Sequence, residues 1–248
     1  MLKNERQREI MKILSQEQYA TVERLRTALG VSASSVRRDL IELEKERLII
    51  RSYGEVELAK TVSMTASFIT RLHRRTQEKQ IIAKKAAELV REKDIVFLDQ
   101  SSSALFLAQE LMKYKKITIV TNNIEILSAP QPAGITIYSS GGRVSSYRRC
   151  LIGADSSGMF ERVRADFAFF SSYGLSTDGV IYDTTMEEVL IKEAMMRNAE
   201  KNVFLCDSDK FGKTAGFRQC DLTEIDYLIS EADCTELYQH YSNQLHIL

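Results

Sequence analysis

Two arginines in the run VSASSVRRDL, Arg37 and Arg38, follow the small residues Ser32, Ala33, Ser34 and Ser35. A guanidinium pairs with guanine edges or with phosphates, and small side chains let a helix sit deep in a groove. A second set of groups is scattered further along the chain. Asp99 precedes Ser101, Ser102 and Ser103, Thr121 precedes Asn122, Gly141 precedes Gly142, and Lys210 lies in the run DSDKFG. Hydroxyls, free backbone N–H groups and a lysine are the chemistry that holds a small anion such as a phosphate. Taken singly, each of these residues also has a plain structural role, because Ser, Asn and Asp cap helices and Gly makes turns.

The arginines need a short helix set steeply against another. Ile10, Met11 and Leu14 fall on one helical face within residues 5–15. A second helix starts at the N-cap candidate Thr21, carries Val22, Leu25 and Leu29 as its apolar stripe, and stops at Gly30. Ser32 caps a third helix, whose Val36, Leu40 and Leu43 recur at helical spacing and face inward. That leaves Ala33, Ser34, Ser35, Arg37 and Arg38 outward, on a helix joined to its predecessor by a turn of a few residues, which is the helix-turn-helix geometry. The run LIIRSYGEVEL then reads as a hairpin turning at Gly54, a wing that brings Arg51 and Tyr53 near a DNA backbone. The spacing favours binding to double-stranded DNA over a small helical bundle with a charged surface, and Arg37-Arg38 as a solvated pair is the competing reading.

Residues 1–58 therefore form one expected domain, and 59–76 a linker with a basic cluster at Arg71, Arg74 and Arg75. That cluster is a solvated charge run or a contact to the DNA backbone. Residues 77–248 form the second expected domain. There, helical runs (78–92, 102–111, 123–127, 186–200) alternate with apolar strands (94–99, 117–120, 135–139, 165–172, 201–207, 225–230). Such alternation predicts an α/β domain with a mainly parallel sheet covered on both faces. Ligands of such sheets bind beyond the carboxyl ends of the strands, where Asp99, Ser101–Ser103, Thr121-Asn122, Gly141-Gly142 and Lys210 all fall.

The totals agree with this division. The 248 residues carry no net charge, yet residues 1–85 hold 18 Lys and Arg against 11 Asp and Glu, and residues 86–248 hold 16 against 23. A basic front and an acidic back fit a chain of which one end meets phosphate. The four cysteines form no CxxC pair and have no histidine at metal-ligand spacing, so they read as reduced, mostly buried thiols with no metal and no cofactor. The charged start MLKNERQREI lacks the apolar stretch of a signal peptide, and no apolar run is long enough to span a membrane, which makes the cytoplasm the expected location.

The segment VSASSVRRDLIELEKERLIIRSYG resembles the recognition helix and wing of the DeoR family of bacterial transcription regulators. Val31, Ser32, Ser35, Val36, Arg37, Arg38, Asp39, Leu40, Leu43 and Glu44 carry the likeness. Arg47, Tyr53 and Glu55 depart from it, since the family has Gly, His and Gly at those places. The second domain is similar to the family's sensor domain through Lys79, Phe97-Leu98-Asp99, Thr121-Asn122, Gly141-Gly142, Gly153, Asp166, Phe169, Gly174, Gly179, Glu188, Lys192 and Asp207 with Lys210-Phe211-Gly212. Ser101 and Ser171-Ser172 stand where that pattern has glycine. The resemblance implies a sensor fold like that of sugar-phosphate isomerases and CoA transferases, and a phosphorylated sugar or related metabolite as effector. It also implies a homo-oligomer, dimer or tetramer, that represses genes of carbohydrate metabolism. Two other functions are weighed against this one: an isomerase-like enzyme acting on sugar phosphates, and a DNA-binding regulator whose second domain only oligomerises. For the enzyme, Asp99 and Lys210 lack a second carboxylate or histidine beside them in the sequence pattern.

Overall fold

A computed structural model describes residues 3–17, 19–46, 48–52, 55–58, 68–113, 116–146, 148–238, 241 and 245–248. The chain divides into two compact units, Met1–Arg74 and Arg75–Leu248.

The first unit is built on three helices, α1 (Lys3–Glu17), α2 (Val22–Leu29) and α3 (Ala33–Lys45). Local chemistry sets their ends. The Thr21 side chain accepts from Arg24 N, and Gly30 closes α2 in the left-handed conformation at φ +63°. The Ser32 side chain accepts from Ser35 N at the start of α3. Ile10, Leu14, Leu25, Val36 and Leu40 are fully buried, as their helical spacing predicts. Strands β2 (Ile49–Ser52) and β3 (Glu55–Leu58) pair antiparallel as the expected hairpin. A further strand, β1 (Tyr19–Thr21), pairs with β3 and makes the wing a three-stranded sheet in the order β1-β3-β2. The sequence shows only a break there, because three residues with a single buried side chain, Ala20, are too short for an alternation to be seen. Tyr53 and Gly54, the expected wing tip, lie outside the described residues. Within the segment read as linker, Phe68–His73 forms a short helix, α4, which packs on α1 with Phe68 fully buried.

The second unit centres on a seven-stranded sheet in which every pairing is parallel, in the order β15-β14-β12-β9-β4-β5-β6. Its strands are β4 (Ile95–Leu98), β5 (Thr118–Thr121), β6 (Thr136–Ser139), β9 (Ala165–Phe170), β12 (Ala199–Leu205), β14 (Tyr227–Ile229) and β15 (His246–Ile247). Helices α5 (Thr76–Ala87) and α6 (Ser102–Leu111) pack together, as do α8 (Ala154–Phe160) and α9 (Met186–Arg197). A short α7 (Ile124–Ser128) follows β5. Phe97, Val120 and Ala168 share a core cluster with Phe160, Ile191 and Met195, and Phe97 meets Phe160 edge to face at 5.1 Å. Two smaller pieces were not expected from sequence. One is the hairpin β7 (Arg143–Ser145) with β8 (Cys150–Ile152). The other is an antiparallel sheet of β10 (Gly174–Leu175), β11 (Val180–Asp183) and β13 (Phe217–Asp221). All four cysteines are free and buried, as their spacing predicts.

Leu40 is fully buried in the first unit, so Leu40→Ala is expected to cost about 2–5 kcal/mol. Denaturant unfolding followed by circular dichroism measures it, and a loss below about 1 kcal/mol would show that this position is not sealed.

Candidate functional site

In the first unit the predicted face of α3 is open. Ser32, Ser34, Arg37 and Arg38 are exposed, and Ala33 and Ser35 are half-buried. The Ser32 hydroxyl lies 2.9 Å from that of Ser34 and 3.0 Å from that of Ser35, a cluster of three hydroxyls at the start of the helix. Among the described residues neither Arg37 nor Arg38 forms an ion pair, so both guanidinium groups are available. Asp39, next along the chain, points the other way. It is buried and takes a two-pronged hydrogen bond from Arg6 of α1, whose Nη2 donates to Oδ1 at 3.0 Å while Nε donates to Oδ2. Gln7 donates to Glu42 at 2.9 Å, and Lys3 pairs with the same carboxylate at 2.6 Å. Helix α1 thus braces the back of α3 while the front stays free. Arg51, an expected contact of the wing, is exposed and lies 3.5 Å from the Glu44 carboxylate.

In the second unit the parallel sheet brings the remaining predicted residues to one edge. The chain leaves β4 for β5 and β6 on one side, then returns to build β9, β12, β14 and β15 on the other. The order therefore reverses between β4 and β9, the place where ligands of such sheets bind. Asp99 stands there, fully buried. Its Oδ1 accepts from Ser101 N at 3.0 Å and its Oδ2 from Ser171 N at 3.2 Å, so one carboxylate ties the loop after β4 to the loop after β9. Burial raises its pKa above the usual carboxylate range, against the charge of Lys192 and these N–H groups.

The loops beside it are as closely bonded. Ser101 caps α6 by accepting from Ala104 N at 3.0 Å. Thr121 Oγ donates to Leu98 O at 2.7 Å and accepts from Asn123 N. Asn122 Nδ2 donates to Gln100 Oε1 at 3.0 Å and to Leu151 O at 3.1 Å. Ser102 is buried at the start of α6. Two buried atoms nevertheless have no partner among the described residues, Ser103 Oγ and Asn122 Oδ1. An unmet buried polar atom is costly and is satisfied by ordered water or by a bound group. Gly141 and Gly142 both have positive φ, and a Cβ on Gly142 would lie 2.7 Å from Ile152 O, so a side chain there is excluded. Lys210, mostly buried, donates to Ser171 Oγ and lies 3.6 Å from Asp207 Oδ2.

The sequence reading did not assign a site role to the charges that back this edge. Lys192 of α9 is buried and pairs with Asp183, and its Nζ donates to Ser172 Oγ at 3.2 Å. Glu188 pairs with Arg148, which donates to Thr185 Oγ at 3.0 Å. Burial, then Glu188, pushes the Asp183 carboxyl up to about 6, against the pull of Lys192. Burial alone would lower the Lys192 pKa, but Asp183, Asp99 and Glu188 outweigh it and raise it. Among the described residues no group of three or more His, Cys, Asp or Glu side chains is arranged to hold a metal. No helix of theirs is long and apolar enough to cross a membrane.

Lys192→Met would leave these buried carboxylates without their shared cation, a loss of about 3–5 kcal/mol near neutral pH. The Asp183 carboxyl titrates near 6 in the folded chain, above its ordinary 3.8, so its share of stability is full at low pH and is lost as pH rises through 6. Removing the cation raises that folded value further. The deficit of the variant is expected to grow from about pH 5 to about pH 7. Equal deficits across that range in urea titrations would contradict the arrangement.

Comparison with known proteins bears on both units. The DeoR-like helix-turn-helix domain matches residues 6–62, and the DeoR C-terminal sensor domain matches residues 74–232. The HTH-type transcriptional regulator GolR of Listeria innocua is 32% identical over 231 residues, covering 92% of this chain and 90% of that protein. The glycerol-3-phosphate regulon repressor of Escherichia coli is 27% identical over 94% of this chain and 92% of that protein. A solved ribose 5-phosphate isomerase A from Methanocaldococcus jannaschii matches at a TM-score of 0.40 and 16% identity, over 54% of this chain and 53% of that one. Both full-length relatives are regulators, and this chain is likewise a regulator rather than an enzyme. With one family domain over its helix-turn-helix and another over more than half of its length, the chain belongs to the DeoR family of DNA-binding transcriptional regulators.

Proposed function

We propose that this regulator represses genes of carbohydrate metabolism from the cytoplasm, and that a phosphorylated sugar or a related metabolite controls it from the carboxyl edge of the parallel sheet. The observation that carries the effector half is the pair of unpartnered buried atoms, Ser103 Oγ in the first turn of α6 and Asn122 Oδ1 just after β5. They adjoin the N-terminus of the ten-residue helix α6, whose first N–H groups favour an anion. Lys210 supplies the charge. Ser102 and Ser103 offer hydroxyls, and Gly141-Gly142 lets backbone N–H groups come close. Both oxygens of Asp99 are taken by Ser101 and Ser171, so its role is to set the width of the crevice. Thr121 and Ser101 are likewise spent on holding loops, which leaves Asn122 Oδ1 and the Ser103 hydroxyl to meet the ligand. The name of the Escherichia coli relative, a glycerol-3-phosphate regulon repressor, supports a phosphorylated metabolite.

For DNA, the reading assigns Arg37 and Arg38 to base edges or phosphates, with Ser32, Ser34 and Ser35 against the backbone and Ala33 giving clearance. A homodimer or tetramer sets two such helices in successive major grooves. Replacing both arginines, Arg37→Ala with Arg38→Ala, is expected to abolish sequence-specific binding to DNA from upstream of the gene, with the circular dichroism spectrum unchanged. Specific retention of that DNA by the double variant in a gel shift would sink the assignment.

For the effector, a panel of sugar phosphates is screened by thermal unfolding of the full chain. A compound present at about 100 times its Kd stabilises the fold by about 2.7 kcal/mol. Lys210→Met is expected to erase most of that shift. A panel that moves neither protein would contradict the effector reading.

A further inference from the structure

Arg75 is the first residue of the second unit and follows directly on the last residue of the first. Its backbone is left-handed, with φ 54° and ψ 44°, a setting disfavoured for any residue with a Cβ. Such a setting persists when its surroundings impose it. Here the imposing contacts are on the side chain. Arg75 Nη2 donates to Ser208 Oγ at 2.6 Å and to Glu231 Oε1 at 2.7 Å, and Nη1 lies 3.2 Å from Glu78 Oε1. Glu231 in turn accepts from Ser208 N at 3.1 and 3.2 Å and from the Ser208 hydroxyl at 2.5 Å. These bonds outweigh burial and hold the Glu231 carboxyl below its ordinary range, so it is charged. Lys85 Nζ donates to Ser230 O at 2.9 Å and pins the body of α5 to the same loop.

Ser208 opens the 3-10 turn Ser208–Lys210. That turn ends on the lysine of the candidate effector site, whose backbone N–H returns to Asp207 O at 2.9 Å. One rigid turn therefore carries both the anion-binding lysine and the hydroxyl that grips the junction residue. The grip is incomplete, because the buried Arg75 Nε has no partner among the described residues.

We infer that Arg75 is a positioning residue that converts occupancy of the effector site into a change of backbone at the first residue of the second unit. An anion that draws Lys210 away from Ser171 and Asp207 re-seats the 208–210 turn. Ser208 and Glu231 then move relative to Arg75, and the left-handed setting loses the contacts that impose it. A ligand shifts such an equilibrium only by as much as it favours one state, and here the favoured state is the one in which Lys210 faces the anion. The inference rests on the reading of Lys210 as part of an anion site.

Hydrogen exchange of the full chain, read on peptides covering 75–79 and 207–212, tests it. The proteins are the unchanged chain, Lys210→Met, Glu231→Gln and Ser208→Ala, each with and without inorganic phosphate as probe. In the unchanged chain phosphate is expected to alter exchange in both peptides, by about threefold at 75–79. In Glu231→Gln and Ser208→Ala it should alter 207–212 alone. A response at 207–212 with 75–79 unmoved in the unchanged chain overturns the coupling and leaves the anion site standing. A response at 75–79 that survives in both variants overturns it too. If phosphate moves neither peptide, the anion reading fails at this probe, and Lys210→Met decides the coupling: changed exchange at 75–79 upholds it, and unchanged exchange overturns it.

Discussion

Parallelism of the seven-stranded sheet is the constraint on which the sensor half depends. Strands that all run one way send all their carboxyl ends to one edge, and the reversal of order between β4 and β9 opens that edge at its middle. Asp99 occupies the opening and is the bond across it. With one oxygen on Ser101 N and the other on Ser171 N, it fixes the start of α6 against the loop that also engages Lys210. A buried carboxylate is expensive without partners. The surrounding chain supplies Lys192, which Asp183 and Glu188 hold in its charged form. The charge network behind the edge thus follows from placing an acid at the switch point.

The DNA-reading half solves a smaller version of the same problem. On the proposed reading, helix α3 shows one face to a groove and is held firmly by the other. Val36, Leu40 and Leu43 provide the apolar grip. Asp39 and Glu42 add directional bonds to Arg6, Gln7 and Lys3 of α1. Apolar packing resists separation but tolerates sliding, whereas a two-pronged guanidinium–carboxylate bond fixes register. Arg37 and Arg38, which directly precede Asp39 and are exposed, are held in place at no cost to their availability.

Much of this was legible in the sequence, and the reasons differ by element. Helix α6 has the bounds expected for it, 102–111, where a largely apolar run follows a strand, and its cap is Ser101. Thr21, Gly30 and Ser32 marked helix ends because their chemistry is local. The central strands stood out as continuous apolar runs, as doubly covered strands do. Strands β1, β7, β10 and β11 did not, since two to four residues are too few to carry a period. The site divided in the same way. Asp99, Asn122 and Lys210 stand out as candidates because each follows a strand. Asp183 and Arg148 do not, because their importance comes from partners met only in the fold. Glu188 and Lys192 are positions of the family resemblance, but nothing in their spacing reveals that Lys192 is buried against Asp183 and Glu188 against Arg148.

The central claim is that one chain joins a DNA-reading helix to a phosphate-sensing edge. Reciprocal titration tests it most directly: the affinity of the full chain for its upstream DNA with and without the sugar phosphate that stabilises it, and the affinity for that sugar phosphate with and without the DNA. Linkage requires the same factor both ways, typically about 5- to 150-fold. The account predicts equal factors within that range. Two ligands that both bind and leave each other's affinity unchanged would contradict it.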